Sequence, residues 1–82
     1  MNNRELRFVG TLRRLGPSTI NLVINRIFEN DVLKGNAINR GPFYYTHLNK
    51  LPTKLEELGV IEHVGYDIGS TNRTEKVWQV ID

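Results

Sequence analysis

The sequence predicts a small α+β fold: three helices followed by a C-terminal β-hairpin. Three observations lead there. Tyr44, Leu48, Leu51, Leu55 and Leu58 recur at spacings of four, three, four and three, which places them on one face of a helix. Gly59 follows the last leucine, where a left-handed C-cap is cheapest without a Cβ, and Val60-Ile61 opens an extended run. Upstream, Ile20, Val23, Ile24, Ile27 and Phe28 occupy i, i+3, i+4, i+7 and i+8, the strongest helical pattern in the chain. The 82 residues suit a single domain, 1–82, with one core.

The first helix is expected near residues 4–15. Leu6, Val9 and Leu12 share a face, flanked by Phe8 and Leu15, and Gly10 weakens the helix by roughly 1 kcal/mol relative to alanine. Gly16-Pro17 ends it, and Ser18 or Thr19 can cap the second helix, near 19–30, by accepting a bond from its free N–H groups. Its β-branched residues lower intrinsic propensity, so burial must hold that helix together.

Residues 31–41 (DVLKGNAINRG) are punctuated by Gly35-Asn36 and Gly41-Pro42, which leaves room for one helical turn between them. Pro42 fits the first turn of the third helix, expected near 43–58. Pro52 lies inside that helix and removes the bond to the Leu48 carbonyl. Because the leucine stripe keeps its phase across Pro52, one kinked helix is favoured over two short ones, the second of which would start at Pro52. In the tail, Val64, Tyr66 and Ile68 alternate on one side of a strand and Trp78 and Val80 on a second, with Val77 and Ile81 facing the opposite way. Between them, residues 69–74 (GSTNRT) are turn formers that carry Arg73 near the tip of a projecting loop. The expected core is Leu12, Ile20, Val23, Ile24, Ile27, Leu48, Leu51, Leu55 and Leu58.

Composition narrows the function classes. No segment is apolar enough to span a bilayer, no secretory leader pattern is present, and without cysteine there is no disulfide framework and no thiolate metal site. Cytoplasmic residence is the expectation. The net charge of +2 is unevenly spread: residues 1–30 carry +3, residues 31–60 carry +1 and residues 61–82 carry −2. The basic surface thus belongs to the first helices, and the acidic tail is a weak electrostatic footprint for nucleic acid.

Candidate catalytic groups do not assemble. His47 and His63 lack partners at metal-ligand spacing, and Glu56-Glu57 point about 100° apart on a helix and cannot share a proton. No nucleophile elbow or phosphate-cradling glycine motif is present. Trp78 on a strand reads as packing before it reads as a stacking platform, and Arg13-Arg14 reads as solvated surface or as a phosphate contact. Neither an enzyme nor a cofactor is expected.

The run THLNKLPTKLEELGVIEHVG, Thr46 to Gly65, resembles the recognition helix and first wing strand of the bacterial and phage winged helix-turn-helix DNA-binding proteins. A polar residue, two leucines, a basic residue and an ELG-[VI]-[IV] ending recur there in this order. LRRLGPSTINLV, Leu12 to Val23, is similar to the junction before the second helix. Two features depart from the family pattern: residues 29–41 exceed the usual tight turn, and Pro52 interrupts the recognition helix. The resemblance implies insertion of the third helix, about 43–58, into the major groove, with the wing, about 61–81, on the backbone or minor groove. Thr46, Asn49, Lys50 and Thr53 then face outward opposite the leucines, with Tyr45 and His47 to the sides. Asn49 suits an adenine edge, Lys50 a guanine or a phosphate, and Thr46 and Thr53 a phosphate or a thymine methyl. Arg40 and Arg73 suit phosphates. Polar residues on the outside of any amphipathic helix look the same, so it is the family pattern that favours DNA.

Two functions follow. One is a sequence-specific double-stranded DNA-binding transcription regulator. It could act as a homodimer paired through the first helix, where Phe8 and Leu15 form an apolar surplus, unless those residues simply complete the core. The alternative is a winged helix used as a protein-binding module, a small adaptor or an inhibitor of a larger nucleoprotein complex. Its motives are the acidic wing, the modest charge and the lack of an effector domain in these residues. A positive stripe joining Arg40, Lys50 and Arg73 would favour DNA. An acidic wing beside an exposed apolar patch would favour a protein partner.

Overall fold

The computed structural model describes residues 1–35, 47–68 and 73–81. Arg40, Tyr44, Tyr45 and Thr46, the Gly41-Pro42 punctuation and the expected start of the third helix lie outside the described residues. The described elements are three helices, a two-residue strand and a hairpin, in the order α1, β1, α2, α3, β2, β3.

Helix α1 spans Asn3–Leu15 and begins with a capping box: Asn2 Oδ1 accepts from Glu5 N–H at 2.8 Å, and Glu5 Oε1 accepts from Asn2 N–H at 3.0 Å. Its buried face is Glu5, Phe8, Val9, Thr11 and Leu12. This corrects the expected Leu6/Val9/Leu12 stripe, since Leu6 is half exposed and Phe8 is sealed at 1% exposure. The larger aromatic area goes inside, and the helix turns about its axis accordingly. Phe8 and Leu15, the apolar surplus that motivates pairing through α1, therefore pack with the core.

Gly16 ends α1 at φ +80°, its N–H bonding the Leu12 carbonyl at 2.9 Å. Ser18–Thr19 then forms strand β1, an element the sequence pattern does not reveal. Helix α2 spans Ile20–Leu33, with the Thr19 hydroxyl accepting from Leu22 N–H at 3.4 Å. It runs three residues beyond the expected end and stops where Gly35 takes φ +71°.

The third helical region breaks in two. His47 and Leu48 are helical, Asn49 and Lys50 turn, and α3 spans Leu51–Glu57 with Pro52 in its first turn. The favoured single kinked helix is thus corrected to the alternative, a second helix starting at Pro52. In a first turn the missing N–H would have had no intrahelical partner anyway. Leu58 is the C-cap, Gly59 sits at φ +75°, and Gly59 N–H and Val60 N–H bond the Glu56 and Leu55 carbonyls, each at 3.0 Å. That pair of bonds is a Schellman motif. The reversal leaves Leu58 56% exposed, contrary to its expected core position, and brings Ile61 inside at 1%.

Strands β2 (Ile61–Ile68) and β3 (Thr74–Val80) pair antiparallel as the expected hairpin, and β1 adds to β3, giving the sheet order β1-β3-β2. His63 lies opposite Trp78 and Gly65 opposite Val77, so Val64 sits in a bulge. The bulge shifts the alternation by one residue and puts His63 and Tyr66 on one face, corrected from the expected grouping of Val64 with Tyr66. One core fills the space between helices and sheet: Phe8, Val9, Leu12, Val23, Ile24, Ile27, Leu48, Leu51, Leu55, Ile61 and Trp78. Ile20, expected within it, packs at its edge. Among the described residues no helix is long and apolar enough to cross a membrane.

Candidate functional site

Leu48, Leu51 and Leu55 are buried, and they fix the orientation of the segment that carries the candidate contacts. Asn49, Lys50 and Thr53 are all exposed on the other side. Asn49 and Lys50 occupy the turn that enters α3, and Thr53 lies in the first turn of that helix. Lys50 is the N-cap residue, and its side chain makes no capping bond because an ammonium can only donate. Arg73, also exposed, precedes β3 at the far end of the hairpin. Arg40, Tyr45 and Thr46 lie outside the described residues, so the stripe joining Arg40 to Lys50 and Arg73 is not on view.

Two ion pairs tie the helices together. Lys54, one position beyond Thr53, turns its ammonium to the buried Glu5 of α1, 3.0 Å from Oε2. The Asn2 N–H bond, then the Lys54 ammonium, hold the Glu5 carboxyl below its ordinary range, against the opposing effect of desolvation. Arg7 forks onto Asp31 of α2, with Nη1 at 3.1 Å from Oδ2 and Nη2 on Oδ1. Beside this pair an open cleft of about 260 Å³ is lined by Arg4, Arg7, Asp31 and His47, among others. Of these ties, only the Asn2/Glu5 box has a local sequence signature. Both interhelical partners are far apart in sequence.

On the hairpin, the His63 ring makes an edge contact with Tyr66 at 4.8 Å, stands 5.8 Å from Trp78, and has Nε2 2.7 Å from the Gly65 carbonyl. Lys76 Nζ is 5.9 Å from the Trp78 ring centre. Trp78 is interior, which fits the packing role. Val64, Tyr66 and Ile68 are exposed, the last at 72%, and the acidic Glu62, Asp67 and Glu75 share the hairpin with them. Asn21 of α2 hydrogen-bonds the Glu75 carboxylate and anchors that end of β3. Among the described residues no group of three or more His, Asp or Glu side chains is arranged to hold a metal ion.

Comparisons with models of known protein families, with curated proteins and with solved structures give no match to this chain.

Proposed function

We propose that the chain is a winged helix-turn-helix protein that binds double-stranded DNA sequence-specifically as a transcription regulator. The α3 region would lie in the major groove and the β2–β3 hairpin on the backbone. One observation carries this reading. Asn49, Lys50 and Thr53 stand exposed on one side of a segment whose other side is locked into the core by Leu48, Leu51 and Leu55. Base readout needs that combination of rigid support and outward donors and acceptors. The order of helices and hairpin, with Arg73 exposed at the hairpin's end, supports the same reading.

Selection of a duplex from a random pool, followed by mobility-shift titration, tests it. Asn49→Ala and Lys50→Ala should each weaken the selected duplex by roughly 1–3 kcal/mol while sparing unrelated DNA. Arg73→Ala should weaken all sequences alike and flatten the salt dependence by about one unit. If all three variants match the wild type and no salt-sensitive binding exists, the regulator reading fails.

A second reading has its own observation: the exposed Val64, Tyr66 and Ile68 beside Glu62, Asp67 and Glu75 on the hairpin. An acidic hairpin with exposed apolar side chains suits a protein surface better than a phosphate backbone. Under that reading the chain is a protein-binding module, and Tyr66→Ser abolishes partner capture while leaving DNA unaffected.

A further inference from the structure

The net charge understates how basic the outside of α1 and α2 is. These two helices carry three carboxylates, and two of them are turned inward: Glu5 to Lys54 and Asp31 to Arg7. Only Glu29 faces solvent, loosely placed with Oε2 3.8 Å from Arg26 Nε. Three of the cations left outward converge. Arg14 from α1, Arg26 from α2 and Lys34 at the α2 C-cap line one open cleft of about 400 Å³, together with Thr11, Leu15 and Asn30. Among the described residues no carboxylate lines it.

On α2 the three polar lining residues, Arg26, Asn30 and Lys34, follow each other at four-residue steps and form a single row. Across the cleft the Arg14 guanidinium lies 3.5 Å from the Thr11 hydroxyl, which itself donates to the Arg7 carbonyl at 2.8 Å. Arg14 and Lys34 sit at helix C-termini, where a cation is favoured by the helix dipole. Arg26 lies mid-helix, and that explanation does not reach it. These three cations share the cleft with only the loose Glu29 contact beside Arg26, and a bound anion lowers their mutual repulsion. An Asn amide among them adds a neutral donor of the kind that contacts phosphate oxygens.

We propose that this cleft is a second backbone-contact surface, taking phosphodiester groups of duplex DNA through Arg14, Arg26 and Lys34, on elements separate from α3 and the hairpin. The inference rests on the DNA-binding reading above. It implies that affinity for any duplex, target or not, depends on α1 and α2 as well as on α3.

The test is a salt series on the full chain with a selected duplex and a scrambled one, for the wild type, for Arg14→Gln/Arg26→Gln/Lys34→Gln, and for Arg14→Lys/Arg26→Lys. The glutamine variant should lose affinity equally for both duplexes, and the slope of log affinity against log salt should fall by about two to three units. The lysine variant keeps the charge and should stay near the wild-type slope. Should the triple change unfold the chain, Arg26→Gln and Lys34→Gln alone should each remove about one unit. A glutamine variant with the wild-type slope overturns the cleft, while Asn49→Ala and Lys50→Ala weakening the selected duplex would leave the DNA-binding reading standing. A wild type with no duplex affinity overturns both.

Discussion

Leu55 and Leu58 differ by three positions in one stripe, yet they have opposite fates. Leu55 is fully buried, whereas Leu58 is 56% exposed because the chain reverses at Gly59. Leu55→Ala should therefore cost about 2–5 kcal/mol in chemical denaturation, the range for a buried leucine, while Leu58→Ala should stay within about 1 kcal/mol. Comparable losses at both positions would show that the stripe packs as one continuous face. Glu5 gives a pH test. Its pKa is lowered in the folded state, so its contribution is present at neutral pH and is lost as pH falls through and below the ordinary carboxylate range. Thermal scans of Glu5→Gln should show a shallower decline of stability on acidification than the wild type. Parallel declines would remove Glu5 from the account.

At the scale of elements, helix ends were legible and helix faces less so. Gly16 and Gly59 take positive φ where the sequence places a stop, and Gly35 does so just past an α2 that outruns its expected end, because only a residue without Cβ enters that region cheaply. Gly59→Ala should accordingly cost about 1–2 kcal/mol despite open space around its Cα, the penalty being backbone strain alone. The phase of α1 is not set by its sequence, because Leu6 and Phe8 both fit an amphipathic pattern and the choice between them is made by tertiary packing. Strand β1 was invisible for a related reason: two residues carry no periodicity, and only pairing with Trp78 and Val77 defines them. Pro52 shows how a stripe in phase can mislead. A break at Asn49-Lys50 preserves the leucine face while moving Pro52 into a first turn. Replacing Pro52 by alanine should bring no gain approaching the roughly 3 kcal/mol released when proline leaves a helix interior. A gain of that size would restore the single kinked helix.

At the scale of the molecule, the polar surface opposite the leucines was legible because burial of one helical face fixes the other. The distribution of charge was not. Glu5 and Asp31 look like solvated charges in the sequence, and the fold turns them inward, making the outside of α1 and α2 more basic than composition suggests. Oligomerisation turns on the same distinction. With Phe8 interior, Leu6 is the exposed large apolar side chain that α1 offers to a second copy. Sedimentation at tens of micromolar, on the order of the level where a weak specific interface forms, tests that pairing, and a monomer there would count against it.

The most direct test of the central claim is the affinity of the purified wild-type chain for a duplex selected from a random pool, measured across a salt series beside a scrambled control. DNA recognition predicts a linear fall of log affinity with log salt. Its slope should be about 0.9 per phosphate contacted and similar for both duplexes, with the selected duplex bound more tightly throughout by roughly 4 kcal/mol or more. Binding that is absent, or equal for the two duplexes at every salt concentration, would contradict sequence-specific recognition.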